Sequence, residues 1–222
     1  MDAITFAAGA WEAAAVLRRS PSGHHIDWIR DGNAPPITWA SQDPVTPAPG
    51  PATALPTSTP IVLIDAFAGS SFARVAVDDV LTHLGARSSL VYSGFIESND
   101  RYAEAVQALW DVRQTQRGVV PHPRLASDIW DVFRPDGPDG TSPLVRLLSD
   151  YTRVPKKALF LIVGGPPCQQ LSVRHAYKGW WGLHGPDSVH FFALPILAWF
   201  AQQLRPDLTV HVLVENVHTM IN

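Results

Sequence analysis

A chain of 222 residues, 46% of them apolar, has the material for one α/β domain with a tail and for a core to hold it together. Its net charge of −3 excludes the global basic field of a nonspecific polyanion binder, so a nucleic acid must be gripped by a local patch or by another polypeptide. The single cysteine excludes an internal disulfide and a cysteine-cluster metal site. No apolar run reaches the ~18 residues of a bilayer span, and Met1-Asp2 opens no signal peptide, so the expectation is a soluble intracellular protein with neither metal nor membrane.

Within residues 1–34 the stretch 7–19 is alanine-rich and predicts a short helix, with Trp11, Ala15 and Leu17 as apolar members. Residues 35–60 hold eight of the twenty prolines among Ser, Thr, Ala and Gly. Proline has no N–H for a ladder or a helix, so this segment predicts an extended linker. A catalytic domain is expected over 61–222, where strand and helix patterns alternate. The apolar run 61–67 predicts a strand holding Asp65, followed by the small-residue turn Ala68-Gly69-Ser70-Ser71 and a helix over 73–84. A second strand over 90–96 closes on Glu97, with a helix over 100–110. A short third strand over 124–130 carries Asp128. Helix 142–149, strand 158–163, an apolar helix over 189–204 bent by Pro195, and strand 209–214 complete the pattern. Continuous apolar strands spaced by helices predict an α/β fold with a doubly wound, mostly parallel sheet buried on both faces.

Ligands of such sheets lie at the carboxyl ends of the strands. Asp65, Glu97, Asp128, Cys168 and Glu215 all stand at or just past such an end, which predicts one crevice holding all five. Small residues after the first strand allow close approach of a ligand, and an acid ending the second strand can accept hydrogen bonds from ribose hydroxyls. Gly69 alone does not make a G-x-G-x-x-G turn, which favours an adenosine ligand without a pyrophosphate over a dinucleotide. Asp128 suits an adenine amino group, and equally a helix or turn cap. Glu215, leaving a strand among apolar neighbours, suits proton donation, or pairing with an arginine. Cys168 sits behind an apolar strand on Gly164-Gly165-Pro166-Pro167, a stiff turn with an open face. That is how a nucleophile is presented, and no triad or oxyanion-hole pattern accompanies it.

In this order, Asp65-Ala66-Phe67-Ala68-Gly69, Glu97, Gly165-Pro166-Pro167-Cys168-Gln169 and Glu215-Asn216-Val217 resemble the S-adenosylmethionine-dependent cytosine-5 methyltransferases over residues 61–220. Leu171-Ser172, Lys178-Gly179, Phe191-Phe192 and Met220 are similar to the animal de novo DNA methyltransferase subfamily. The resemblance implies a Rossmann-like methyltransferase fold and transfer of a methyl group from S-adenosylmethionine to C5 of a cytosine flipped out of DNA. By the same resemblance Cys168 adds to C6, Glu215 engages N3 and the exocyclic amine, Pro167 fixes the loop and Asn216 holds the strand end of Glu215. Asp65, Phe67, Ala68, Gly69, Glu97, Asp128, Ile129 and Pro166 would bind the cofactor. Ser172, Arg174 and Lys178 would contact nucleic acid, or lie in a solvated loop.

Ser71 departs from the family by standing where its first motif has a second glycine. Family members also continue into an arginine motif, a target-recognition region and a final motif beside the first strand, none of which is found by Asn222. The expectation is therefore a catalytic portion incomplete at its C-terminus, either a fragment or one half of a split enzyme completed by another polypeptide, in the nucleus of a eukaryote or the cytoplasm of a bacterium or phage host. Two other readings stand beside it: a noncatalytic module that binds a partner methyltransferase, or the cofactor without turnover, and transfer to RNA cytosine, whose branch carries a Cys-Phe-Thr feature that Cys168-Gln169 lacks.

Overall fold

Branched and aliphatic side chains fill Ile61-Val62-Leu63-Ile64, and in the computed structural model of the protein all six residues of β1 (Ile61–Ala66) are buried. The structure describes residues 59–114, 119–136, 140–166 and 189–215. After β1 come α1 (Phe72–His83), β2 (Leu90–Ile96), α2 (Asp100–Gln114), β3 (Arg124–Ala126), α3 (Pro143–Ser149), β4 (Leu159–Gly164), α4 (Val189–Leu204) and β5 (Thr209–Val214), with short 3-10 helices at Arg87–Ser89 and Ile129–Phe133.

The five strands form one sheet in the order β3-β2-β1-β4-β5, and every neighbouring pair is parallel. Leu81 of α1 packs with Ile61, Leu63 and Leu90 on one face, beside a second cluster in which Ala103, Val106 and Trp110 of α2 surround Phe95. On the other face Leu144, Leu147 and Leu148 of α3 and Leu194, Leu197 and Phe200 of α4 cover Val62, Ile64, Phe160 and Ile162. The fold is a doubly wound, Rossmann-like α/β sheet. Its order reverses between β1 and β4, and that reversal opens a crevice at the strands' carboxyl ends.

Gly164, the last residue of β4, lets that strand lie close to its neighbours. A Cβ there would stand 3.0 Å from the Ala66 carbonyl oxygen and 3.1 Å from Leu194. α4 continues through Pro195 and buries Leu194, Leu197 and Phe200, as its almost unbroken apolar sequence requires.

Two expectations change. The third strand stops at Ala126 rather than 130, because the Asp128 carboxylate accepts a hydrogen bond from the Trp130 N–H at 2.9 Å and turns the chain into a 3-10 helix. Burial on both faces holds for β1 and nearly all of β2 but not for the rest of the sheet. Leu159, Leu161 and Val163 of β4 are half-buried on the face that α1 covers, and β5 is largely exposed among the described residues. The apolar run of a strand records what it can bury, and not what lies above it. The segments 7–19 and 35–58 lie outside the described residues.

Candidate functional site

The turn after β1 is built from residues in an unusual backbone state. Phe67, Gly69 and Ser71 have φ of 59°, 50° and 58°. For Phe67 and Ser71 the left-handed region costs roughly 1–2 kcal/mol each, since the Cβ crowds the following carbonyl. Hydrogen bonds hold the turn in place. The Ala68 N–H donates to the Ile96 carbonyl at 3.0 Å, and the Ser71 N–H to the Ala68 carbonyl at 2.6 Å. Glu97 clamps it from the end of β2: one carboxylate oxygen accepts from the Gly69 N–H at 2.8 Å, the other from the Asn99 N–H at 2.7 Å. Arg124 in turn donates to the Glu97 carbonyl at 2.6 Å and pairs with Asp100 at 2.9 Å, tying β3 to the same corner.

Above this turn lies a crevice of about 290 Å³. Phe67 and Gly69 line it from β1, Ile96 and Glu97 from β2, Asp128 and Ile129 from β3, and Gly165 from β4. Each oxygen of an ionised carboxylate offers about two lone pairs, so Glu97 keeps acceptor capacity for hydroxyl donors after binding two backbone amides. Phe67 and Ile129 add apolar lining to the same crevice as the two acids. An adenosine-bearing ligand matches this combination of flat apolar surface and acceptors, so the residues present fit the implied cofactor. Ser98, Asn99, Tyr102, Ser127 and His190 also line the crevice and were not anticipated. The first two directly follow Glu97, and Ser127 directly precedes Asp128, so adjacency to the acids was the available signal. Tyr102 and His190 stand in the first turns of α2 and α4, which the parallel topology points at the same end of the sheet.

β5 delivers Glu215 beside Gly165, although Glu215 is not itself part of the crevice lining. Its N–H donates to the Gly164 carbonyl at 3.1 Å, extending the ladder by one residue. The carboxylate is exposed, and its Oε2 lies 3.0 Å from where a Cβ on Gly165 would stand. Glu215 therefore occupies the space a side chain at Gly165 would need, three residues before Cys168 in the chain. Cys168, Pro167, Asn216, Ser172, Arg174 and Lys178 themselves lie outside the described residues.

Asp65 does not point into the crevice. It is 2% exposed, and its Oδ2 accepts from the Ser71 hydroxyl at 3.0 Å beneath the turn. It also accepts from the backbone N–H of Arg74, so it caps α1 from a neighbouring strand. Ala68 packs with Phe95 and Ala103, and Pro166 is buried; neither is part of the crevice lining. Ser71, which stands in place of a glycine, keeps glycine's backbone conformation and turns its side chain inward, away from the crevice.

Sequence reasoning missed His122 entirely. Its Nε2 lies 3.0 Å from Ser71 Oγ and its Nδ1 2.6 Å from Ser93 Oγ, between the rings of Phe95 and Trp110. Burial pushes the Asp65 carboxyl up to about 7, and burial together with the Arg74 guanidinium pulls His122 down to about 3. Among the described residues no group of three or more His, Cys, Asp or Glu is placed to hold a metal ion, and no helix is long and apolar enough to cross a membrane. No protein-family model, curated protein or solved structure matches the chain.

Proposed function

We propose that this chain is the cofactor-binding and catalytic portion of a DNA cytosine-5 methyltransferase that uses S-adenosylmethionine inside the cell. One observation carries the reading. Phe67, Gly69, Glu97, Asp128 and Ile129, which the motif resemblance assigns to the cofactor, come from three separate strand ends and wall a single crevice. Gly165, at the head of the Cys168 motif, is on its rim with the Glu215 carboxylate against it.

The bound cofactor supplies the methyl group. Glu97 would accept from its ribose hydroxyls and Asp128 from its adenine amino group, and Phe67 and Ile129 would pack on its apolar faces. Cys168 adds as thiolate to C6 of an extruded cytosine, while Glu215 engages N3 and the exocyclic amine so that charge developing on the ring is neutralised. The test is transfer of labelled methyl from cofactor to DNA, by the chain with a candidate complementing polypeptide, comparing wild type with Cys168→Ala. Loss of transfer to background is expected; equal transfer by both proteins would end the mechanism.

A noncatalytic module is the second reading, and the exposure of Val212, Leu213 and Val214 on β5, an edge strand among the described residues, favours it, because such a surface suits contact with another protein. Calorimetry with S-adenosylhomocysteine separates the two. Binding that is lost in Glu97→Ala supports the enzyme, and absence of binding by the wild-type chain supports the module.

A further inference from the structure

Beneath the crevice, Ser93, His122, Ser71 and Asp65 form an unbroken chain of hydrogen bonds. The spacings are 2.6 Å from Ser93 Oγ to His122 Nδ1, 3.0 Å from Nε2 to Ser71 Oγ, and 3.0 Å from Ser71 Oγ to Asp65 Oδ2. All four side chains are shut away from solvent. With a neutral imidazole this chain is satisfied in two opposite directions. When Asp65 is ionised, Ser93 O–H donates to Nδ1, Nε2–H donates to Ser71, and Ser71 O–H donates to the carboxylate. When Asp65 carries a proton, it donates to Ser71, Ser71 donates to Nε2, and Nδ1–H donates to Ser93. The second direction holds one proton more than the first, taken up from water: each bridging proton lies at the other end of the hydrogen bond it already spans, Ser93 keeps a hydroxyl proton, and the imidazole is neutral in both.

We propose that His122 is a positioning residue for the crevice, its tautomer and the proton on Asp65 switching together to set how firmly the left-handed turn 67–71 is held. In the ionised direction the turn and the α1 amide of Arg74 rest on a full negative charge; in the other they rest on neutral bonds, which are roughly half as strong. The charged groups facing the chain are Glu97 from β2, Arg74 with its partner Asp78 from α1, and Arg113, which with Arg74 lies against Trp110. Burial raises Asp65 and lowers His122, so the proton taken up near neutrality goes to the carboxyl and not to the ring.

The test is a long-range ¹H–¹⁵N correlation on the full ¹⁵N-labelled chain between about pH 5 and 8, with His122→Gln to assign the ring. The His122 nitrogens are expected to exchange their protonated and bare shifts, Nε2–H at high pH and Nδ1–H at low pH. The Gly69 amide should move with the same midpoint. In Asp65→Asn, where the amide NH₂ donates permanently to Ser71, the Nδ1–H form is expected at every pH. An unchanging tautomer in the wild-type chain, or formation of imidazolium in this range, overturns the proposal. A second readout rests on the cofactor reading: affinity for S-adenosylhomocysteine should fall as pH drops through the midpoint, by at most about tenfold per pH unit for one proton. If that ligand binds at no pH, the cofactor reading fails while the imidazole result still decides the role of His122.

Discussion

Asp65 and His122 hold one proton between them across several pH units, and the sign of each contribution follows from its direction. The Asp65 carboxyl, raised from 3.8 to about 7, contributes stability that is full below the unfolded value and is lost as pH rises through 7. His122, lowered from 6.5 to about 3, contributes stability that is present above 6.5 and lost as pH falls through 3. Between about pH 4 and 6.5 folded and unfolded chains bind one proton each in total, on the carboxyl when folded and on the imidazole when unfolded, so the slopes cancel. Urea unfolding of the wild-type chain is expected to show little pH dependence from this pair in that window. Asp65→Asn unmasks the histidine and loses about 1.4 kcal/mol per unit as pH falls; His122→Gln unmasks the carboxyl and loses as much as pH rises. Parallel profiles for all three proteins would show that the pair does not share a proton.

Adjacent glycines at the end of β4 serve different ends. Gly164→Ala drives a methyl against the Ala66 backbone oxygen and the Leu194 side chain, and backbone in a central strand cannot retreat. Its expected cost is about 1–3 kcal/mol, read from thermal unfolding. Gly165→Ala crowds the tip of Glu215, a flexible side chain, and meets its backbone oxygen only at ordinary contact distance, so stability should stay within about 0.5 kcal/mol while methyl transfer falls because the carboxylate is displaced. A joint loss of both properties in Gly165→Ala would contradict this division. The strand and helix alternation was legible because long apolar runs and their polar punctuation are local signals, and so were Glu97, directly after β2, and Asp128, two residues past β3. The inward turn of Asp65 was not legible, since it depends on a backbone conformation at Phe67 and Ser71 that their residue types disfavour. Nor was His122: its partners Ser71 and Ser93 are 51 and 29 residues away, and nothing local marks a histidine as the middle of a buried chain.

For the molecule as a whole the sheet is unevenly covered. The half around β1 and β2 is enclosed, whereas Leu213 is 60% exposed on β5, an edge strand among the described residues. Exposed apolar edges promote association, so Leu213→Lys should leave the urea midpoint unchanged and raise the protein concentration at which light scattering begins. Unaltered scattering would mean that the edge is already covered. The strand order also sets a sequence of events during synthesis. β1 finds its β2 partner within about thirty residues but waits roughly a hundred for β4, since Val62 pairs with Phe160, and such distant parallel pairings form slowly. A nascent chain can therefore assemble β1, β2 and β3 while the other edge of β1 still faces the ribosome's surroundings unpaired. The seam between β1 and β4 closes after β2 and β3 are in place and brings Gly165 and His190 to a crevice whose other walls come from the first three strand ends, so binding of a ligand at full affinity reports that this late pairing has formed.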